Sequence, residues 1–353
     1  MHRILVCHTG GWIGDMVLIT PTLRKLKEIY PGSFLSVLLR PLVADLMASN
    51  PYVDKCLIDS KSAGSLKSIF SLVKTIRRLF FDIAVILHPT SYRNAFIPYF
   101  ARIPMRIGSN YRGRSTFLTC SVPHTYNQHE VERYLSILQL LNLEEELFRV
   151  DSFNPNDTEL ELEFWHSDNE RKAIANTLLT NGISFSDRLI AINIGTTWQT
   201  KQWDIRNFSE LIHQITNLNQ NIRIIVTGSE SEQSISHELP LSDRIVNLVG
   251  KTDILQLGAL LEKCELCISC DSGPMHIAAA VGTPTIALFG PTDPLRHRPY
   301  GENHTIIEKT IYCRPCYKRT CHRKDEPNVC MNEITVEEVV NEITRQLRIN
   351  KTD

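Results

Sequence analysis

Leu266-Cys267-Ile268-Ser269-Cys270-Asp271-Ser272-Gly273-Pro274-Met275-His276-Ile277-Ala278-Ala279-Ala280 reads as a strand, a turn and a helix in one run. Leu266–Ser269 is a short apolar stretch of strand length. Pro274 suits the first turn of a helix, where its missing N–H costs nothing. Ser272 and Gly273 then place free N–H groups where the helix dipole favours phosphate, and Asp271 can accept from sugar hydroxyls. A plainer reading stays open, with Asp271 or Ser272 only a cap and His276 a satisfied helix residue.

Working outward, the same alternation recurs along the chain. In the first half Ile4–Cys7, Leu35–Leu39, Lys55–Ile58 and Ile83–Leu87 read as buried strands. Thr20–Tyr30, Pro41–Ala48, Leu66–Phe80 and Val131–Leu141 read as helices between them. The stretch Asp151–Glu163, with Pro155 and several acids, breaks the pattern and reads as a linker. Strands then resume at Leu189–Ile194, Ile222–Thr227, Arg244–Leu248, Leu266–Ser269 and Thr285–Phe289, with helices over Asn207–Leu218, Ile254–Glu262 and Met275–Ala280. Strands alternating with helices imply parallel sheets with crossover helices. The expectation is an α/β protein of two facing Rossmann-like domains with a cleft between them: 1–160, 161–334, and a C-terminal helical segment over 335–353. That last helix opens with a Thr335 cap and a nearby acidic pair.

The whole-chain numbers narrow the class. A length of 353 residues fits two domains at about 100–200 residues each. A net charge of -1 gives no global bias toward nucleic acid. No run approaches the roughly 18 apolar residues of a membrane span, and the N-terminus is too briefly apolar for a signal core. A cytoplasmic protein is expected, one that could touch a membrane from that side. Lys61–Gln128 is locally basic, with Asp82 its only acid. It reads either as a solvated surface or as a face for an anionic acceptor or membrane. Within it Arg93, Arg112 and Arg114 follow the fourth strand candidate and are the candidate acceptor contacts.

Two further turns carry candidate chemistry. Gly10-Gly11-Trp12-Ile13-Gly14-Asp15 follows the first strand, but its spacing is not that of a nicotinamide-binding fingerprint. Asp15 is either a helix cap or a general base at the carboxyl edge of the sheet. Asn193–Trp203 places Thr196, Thr197 and Lys201 after a strand end, where hydroxyls, free N–H groups and one ammonium suit a diphosphate. A polar turn with an exposed lysine is the alternative.

Gly14-Asp15 with Thr20-Pro21, Lys201-Gln202-Trp203, Asp271–His276 and Phe289-Gly290-Pro291-Thr292-Asp293-Pro294 together resemble glycosyltransferase family 9, in motif order and over nearly the whole chain. These are the heptosyltransferases of the lipopolysaccharide inner core. The resemblance implies a GT-B fold, an ADP-heptose donor, an anionic lipid-linked glycan acceptor and an inverting reaction with no metal or other required cofactor. It makes Asp15 the base and Thr196, Thr197, Lys201, Ser272 and Gly273 the diphosphate contacts. Asp271 and His276 fall on the donor-sugar side, Glu230 at the ribose and Thr252 at the adenine pocket. The chain departs from the family at Cys7-His8-Thr9, where an arginine is common. Other readings are a nucleotide-sugar epimerase, transfer to a different acceptor, or a nucleotide-binding module without catalysis.

Ten cysteines divide into two groups. Cys7, Cys56, Cys120, Cys264, Cys267 and Cys270 sit in or beside strand-like runs and read as small buried hydrophobes. Cys313, Cys316, Cys321 and Cys330 form C-x2-C-x4-C-x8-C among basic residues. They read as free thiols or as a structural zinc site.

Overall fold

The computed structural model describes residues 1–60, 66–143, 160–184 and 186–348. Lys61 and residues 151–159 of the linker candidate lie outside them. The chain divides into two compact units, Met1–Glu163 and Phe164–Asp353.

The first unit holds β1 (Arg3–Cys7), β2 (Phe34–Leu39), β3 (Lys55–Ile58), β4 (Ile83–Ile86), β5 (Met105–Asn110) and β6 (Cys120–Pro123). They form one sheet in the order β3-β2-β1-β4-β5-β6, parallel throughout. Ile4 to Cys7 and Ile83 to Ile86 are all buried. Helices cover both faces of a parallel sheet, so its central strands are apolar without alternation.

The second unit repeats the plan. It holds β7 (Arg188–Asn193), β8 (Ile222–Thr227), β9 (Ile245–Asn247), β10 (Leu266–Cys270), β11 (Thr285–Phe289) and β12 (His304–Glu308). Their order is β12-β11-β10-β7-β8-β9, again parallel. Numbered from its own first strand, each sheet therefore runs 3-2-1-4-5-6, the doubly wound order. The winding reverses between β1 and β4 in one unit and between β7 and β10 in the other. Loops leaving the carboxyl ends of those two pairs part in opposite directions and open a crevice.

The closing helix Val336–Gln346 starts with a capping box between Thr335 and Glu338. It buries Val339, Val340 and Ile343 in the core shared with Leu211 and Ile215 of helix Ile205–Leu218. Trp203, fully buried, donates its Nε1–H to the Ile334 carbonyl at 3.0 Å just ahead of that helix. Among the described residues no helix is long and apolar enough to cross a membrane.

Candidate active site

In the second unit the motif residues gather at the switch point. β7 and β10 are neighbours with Asn193 opposite Ser269, so the chains leaving them start side by side. From β7 the chain runs through Thr196 and Thr197 into a 3-10 turn, Gln199–Lys201. From β10 it enters the helix Gly273–Ala280 through Asp271 and Ser272. Lys201 Nζ meets Asp271 Oδ2 at 2.6 Å, and Thr292 donates its hydroxyl to the same oxygen at 2.5 Å. Burial alone would raise the Asp271 pKa, but Lys201, His297 and Thr292 together hold it below the usual carboxylate value. Lys201 also lies 4.6 Å from the centroid of Trp198, whose ring takes the Arg319 guanidinium at 5.2 Å.

Two polar atoms here, Thr196 Oγ1 and His276 Nδ1, are buried without a hydrogen-bond partner among the described residues. Ser272 makes no side-chain cap on its own helix; its hydroxyl sits 3.3 Å from Asn193 Nδ2 and 3.1 Å from Ser269 Oγ. The helix start thus has no side-chain cap, and a helix N-terminus of this kind carries a partial positive charge. Burial pushes His276 down to about 4 and His297 down to about 3, so both imidazoles are neutral at pH 7. A Cβ on Gly195 would lie 2.6 Å from Glu232 Oε2, so a side chain there would require the Glu232 carboxylate to shift. Glu230 lies in the 3-10 turn after β8, and Thr252 lies after β9, just ahead of the Asp253 cap. Both are therefore at carboxyl-end loops of the same sheet. Sequence reasoning assigned no role to His297 or Trp198. The one signal for His297 was its place four residues after Asp293.

A cysteine-bearing loop is bound to this cluster. Lys318 accepts from the Thr200 hydroxyl at 2.7 Å. The N–H groups of Cys316 and Tyr317 both donate to Pro291 O at 3.0 Å. Arg314, almost buried, donates to the carbonyls of Gly290, Lys309 and Thr292 and pairs with Glu308. Burial first, then the neighbouring Cys316, Cys313 and Cys321, raise the Cys330 thiol pKa against the lowering effect of Arg314. Among the described residues, these four included, no group of three or more His, Cys, Asp or Glu is arranged to hold a metal ion. The zinc expectation therefore finds no coordination set. Of the other cysteines, Cys7, Cys264, Cys267 and Cys270 are buried, while Cys56 and Cys120 are only half-buried, on outer strands.

The first unit places its own polar group at the matching point. Asp15 is the third residue of helix Ile13–Leu18, whose N-cap is Trp12, so Asp15 is not the cap. Its carboxylate lies 4.0 Å from Nε2 of the buried His8, which approaches the Tyr134 hydroxyl at 3.3 Å and the His88 ring at 5.2 Å. A Cβ on Gly10 would stand 2.8 Å from Asp15 Oδ2, so the glycine makes room for the carboxylate.

Of the three arginines expected to meet an acceptor, Arg114 is used differently. Arg114 is fully buried, donating to His88 O at 2.6 Å and to Ser109 O and Oγ at 2.6 and 2.9 Å. It is a framework residue holding loops after β4 and β5, and cannot meet an acceptor from there. Arg93 pairs bidentately with the buried Asp59 at 2.6 and 2.7 Å. Arg112 is exposed, stacked on Tyr111.

The family model described as glycosyltransferase family 9 (heptosyltransferase) matches residues 69–326. The chain belongs to glycosyltransferase family 9. This family 9 chain is 28% identical to lipooligosaccharide heptosyltransferase 2 of Haemophilus ducreyi, across 96% of this chain and 97% of that one. The structure of a family 9 glycosyl transferase from Veillonella parvula superposes with TM-score 0.83 at 21% identity, covering 99% of this chain and 98% of the other. That of Escherichia coli ADP-heptose lipopolysaccharide heptosyltransferase II gives 0.77 at 22%, with 99% of each covered. The fold of this family 9 glycosyltransferase is GT-B, two parallel doubly wound sheets in succession.

Proposed function

We propose that this enzyme moves heptose from ADP-heptose to a lipopolysaccharide inner-core acceptor with inversion at the anomeric carbon. The observation that carries the reading is the Lys201–Asp271–Thr292 cluster beside the uncapped helix start at Ser272. An ammonium and a helix dipole at one switch point fit a nucleotide diphosphate. Thr196, Thr197, Ser272 and Gly273 would meet the phosphates, Asp271 and His276 the sugar, Glu230 the ribose and Thr252 the adenine. The first unit, with Asp15, would take the acceptor, and Arg93 and Arg112 remain its candidate contacts.

In the reaction Asp15 takes the proton of the acceptor hydroxyl. The oxygen attacks the anomeric carbon while the bond from that carbon to the β-phosphate oxygen breaks. ADP leaves with the electron pair, its charge offset by Lys201 and the helix start. This assignment asks no metal of the protein, so activity is expected to persist in excess EDTA; loss restored by magnesium would reassign the diphosphate site. The enzyme would work in the cytoplasm, at the inner face of the membrane that carries its acceptor.

The test is direct. Purified protein, ADP-heptose and heptose-deficient lipopolysaccharide should give a product one heptose heavier by mass spectrometry. Isomerised ADP-sugar formed without acceptor would favour the epimerase reading instead.

A further inference from the structure

Apart from Arg112, the cations that face solvent in the basic stretch are not the arginines singled out from the sequence. They lie on helix Leu66–Arg77 and just beyond it. Lys67, Lys74, Arg77 and Arg78 are exposed there, and so are Phe70, at 72%, and Phe80, at 79%. Residues 67, 70, 71, 74, 77 and 78 follow the three- and four-residue steps of one helical face. The opposite face buries Val73 and Ile76 in the core with Leu5 and Ile86. Arg77 donates to the Phe100 carbonyl at 2.5 Å, which brings in a third exposed phenylalanine, at 53%, and Tyr99 packs edge-on to it at 5.4 Å. Arg102, also exposed, follows two residues later.

Large exposed rings in one patch are uncommon on a soluble surface and mark a site of contact. Here they are interleaved with cations, and the only acid among the described residues from Leu66 to Arg102 is Asp82. A protein partner would need an unusually acidic and apolar face. An anionic lipid surface supplies both features everywhere: phosphates for the cations and an acyl boundary for the rings.

We propose that this face, Lys67, Phe70, Lys74, Arg77, Phe80 and Phe100, docks the enzyme on an anionic lipid bilayer, with the rings entering the headgroup boundary. The proposal deepens the reading of a membrane-borne acceptor and gives that contact a place. It separates two jobs that the sequence left merged. Arg114 is committed to main chain and Arg93 holds Asp59 through Nε and Nη2, while this helix meets the lipid.

The experiment is flotation with vesicles of equimolar phosphatidylglycerol and phosphatidylcholine against vesicles of phosphatidylcholine alone. Wild-type protein is expected to float with the first and not the second, and less so as salt is raised. Lys67→Gln/Lys74→Gln should lower partition by on the order of tenfold or more, at about 1 kcal/mol per cation. Phe70→Ser/Phe80→Ser should lower it comparably while keeping the salt dependence. Both variants should keep wild-type ADP affinity and melting temperature, since neither pair touches the core or the donor cluster. Partition unchanged in both variants, or no flotation of the wild type, overturns the proposal. Wild-type protein that floats but neither binds ADP nor transfers heptose would instead overturn the proposed function and leave the lipid surface standing.

Discussion

Lys201 and Asp271 hold one another at 2.6 Å with little solvent between them. Breaking a buried pair by removing one partner strands the other charge. Lys201→Ala is therefore expected to lower stability by about 3 kcal/mol, and Asp271→Asn in that background should recover much of it. The same variant should weaken ADP more than adenosine, because an ammonium binds phosphate rather than base. Calorimetry showing equal losses for both ligands would take Lys201 out of the diphosphate site. Asp15→Asn makes a different prediction. It should leave ADP affinity near wild type and reduce turnover by roughly 100-fold or more, as loss of a general base does. Wild-type turnover in that variant would leave Asp15 with no role in proton transfer.

Helix Ile254–Leu261 packs against Asp168–Thr180, and Gly258 makes room for Phe164 beside them. A Cβ at Gly258 would fall 2.1 Å from Phe164 Cε1, far inside contact distance. Gly258→Ala should thus cost about 1–3 kcal/mol by overpacking, although alanine is the better helix former. Phe164→Leu in the same chain should return part of that in a urea titration; if Gly258→Ala is neutral, the ring has somewhere else to go. These two helices also show where the sequence falls silent. Asp168–Thr180 buries only Ile174 and Leu178, so it lacks an apolar stripe despite the capping box at Ser167 and Glu170. The central strands β1, β4, β7, β10 and β11 are largely apolar runs, broken inside only at Ser269 of β10, and were legible as such. By contrast β6 buries none of its residues and ends at Pro123, while β12 is half-exposed along its length. Edge strands need not be apolar, and β5 is diluted by Arg106, Gly108 and Ser109. The candidate residues Thr196 and Asp271 could be picked out because they follow β7 and β10 closely, and Lys201 because it closes the turn after β7. Tyr134 and His88 reach His8 only through tertiary packing, from positions 126 and 80 residues on, and no local pattern marks them. Arg114 shows the converse: charge in a sequence does not say whether a guanidinium faces water or ties loops together.

Across the molecule as a whole, neutral histidines, one buried and two partly buried, link stability to pH. Burial holds His276 and His304 down to about 4 and His297 to about 3, against an unfolded value near 6.5. Above about pH 6.5 both states are neutral and this contribution is complete. As pH falls below it, the unfolded chain binds protons that the folded chain refuses, so stability declines until the folded values are reached. The slope should approach about 1.4 kcal/mol per pH unit for each such histidine. Asp271, with its depressed pKa, loses its contribution only at still lower pH. Urea midpoints taken from neutral to mildly acid pH should fall, and His276→Asn should make the decline shallower. An unchanged slope in that variant would mean His276 is protonated in the folded protein.

The four tryptophans are distributed so that each unit carries its own light source. Trp12 is 40% exposed at the turn beside Asp15's helix, Trp198 lies under the Lys201 ammonium, and Trp203 is wholly enclosed. Trp203 should emit at short wavelength and ignore ligands. Trp198 should change intensity when a diphosphate draws Lys201 from its ring, and Trp12 should respond to whatever reaches Asp15. Chains retaining one of these indoles at a time would let fluorescence report donor arrival and acceptor arrival as separate signals, without a label on either substrate.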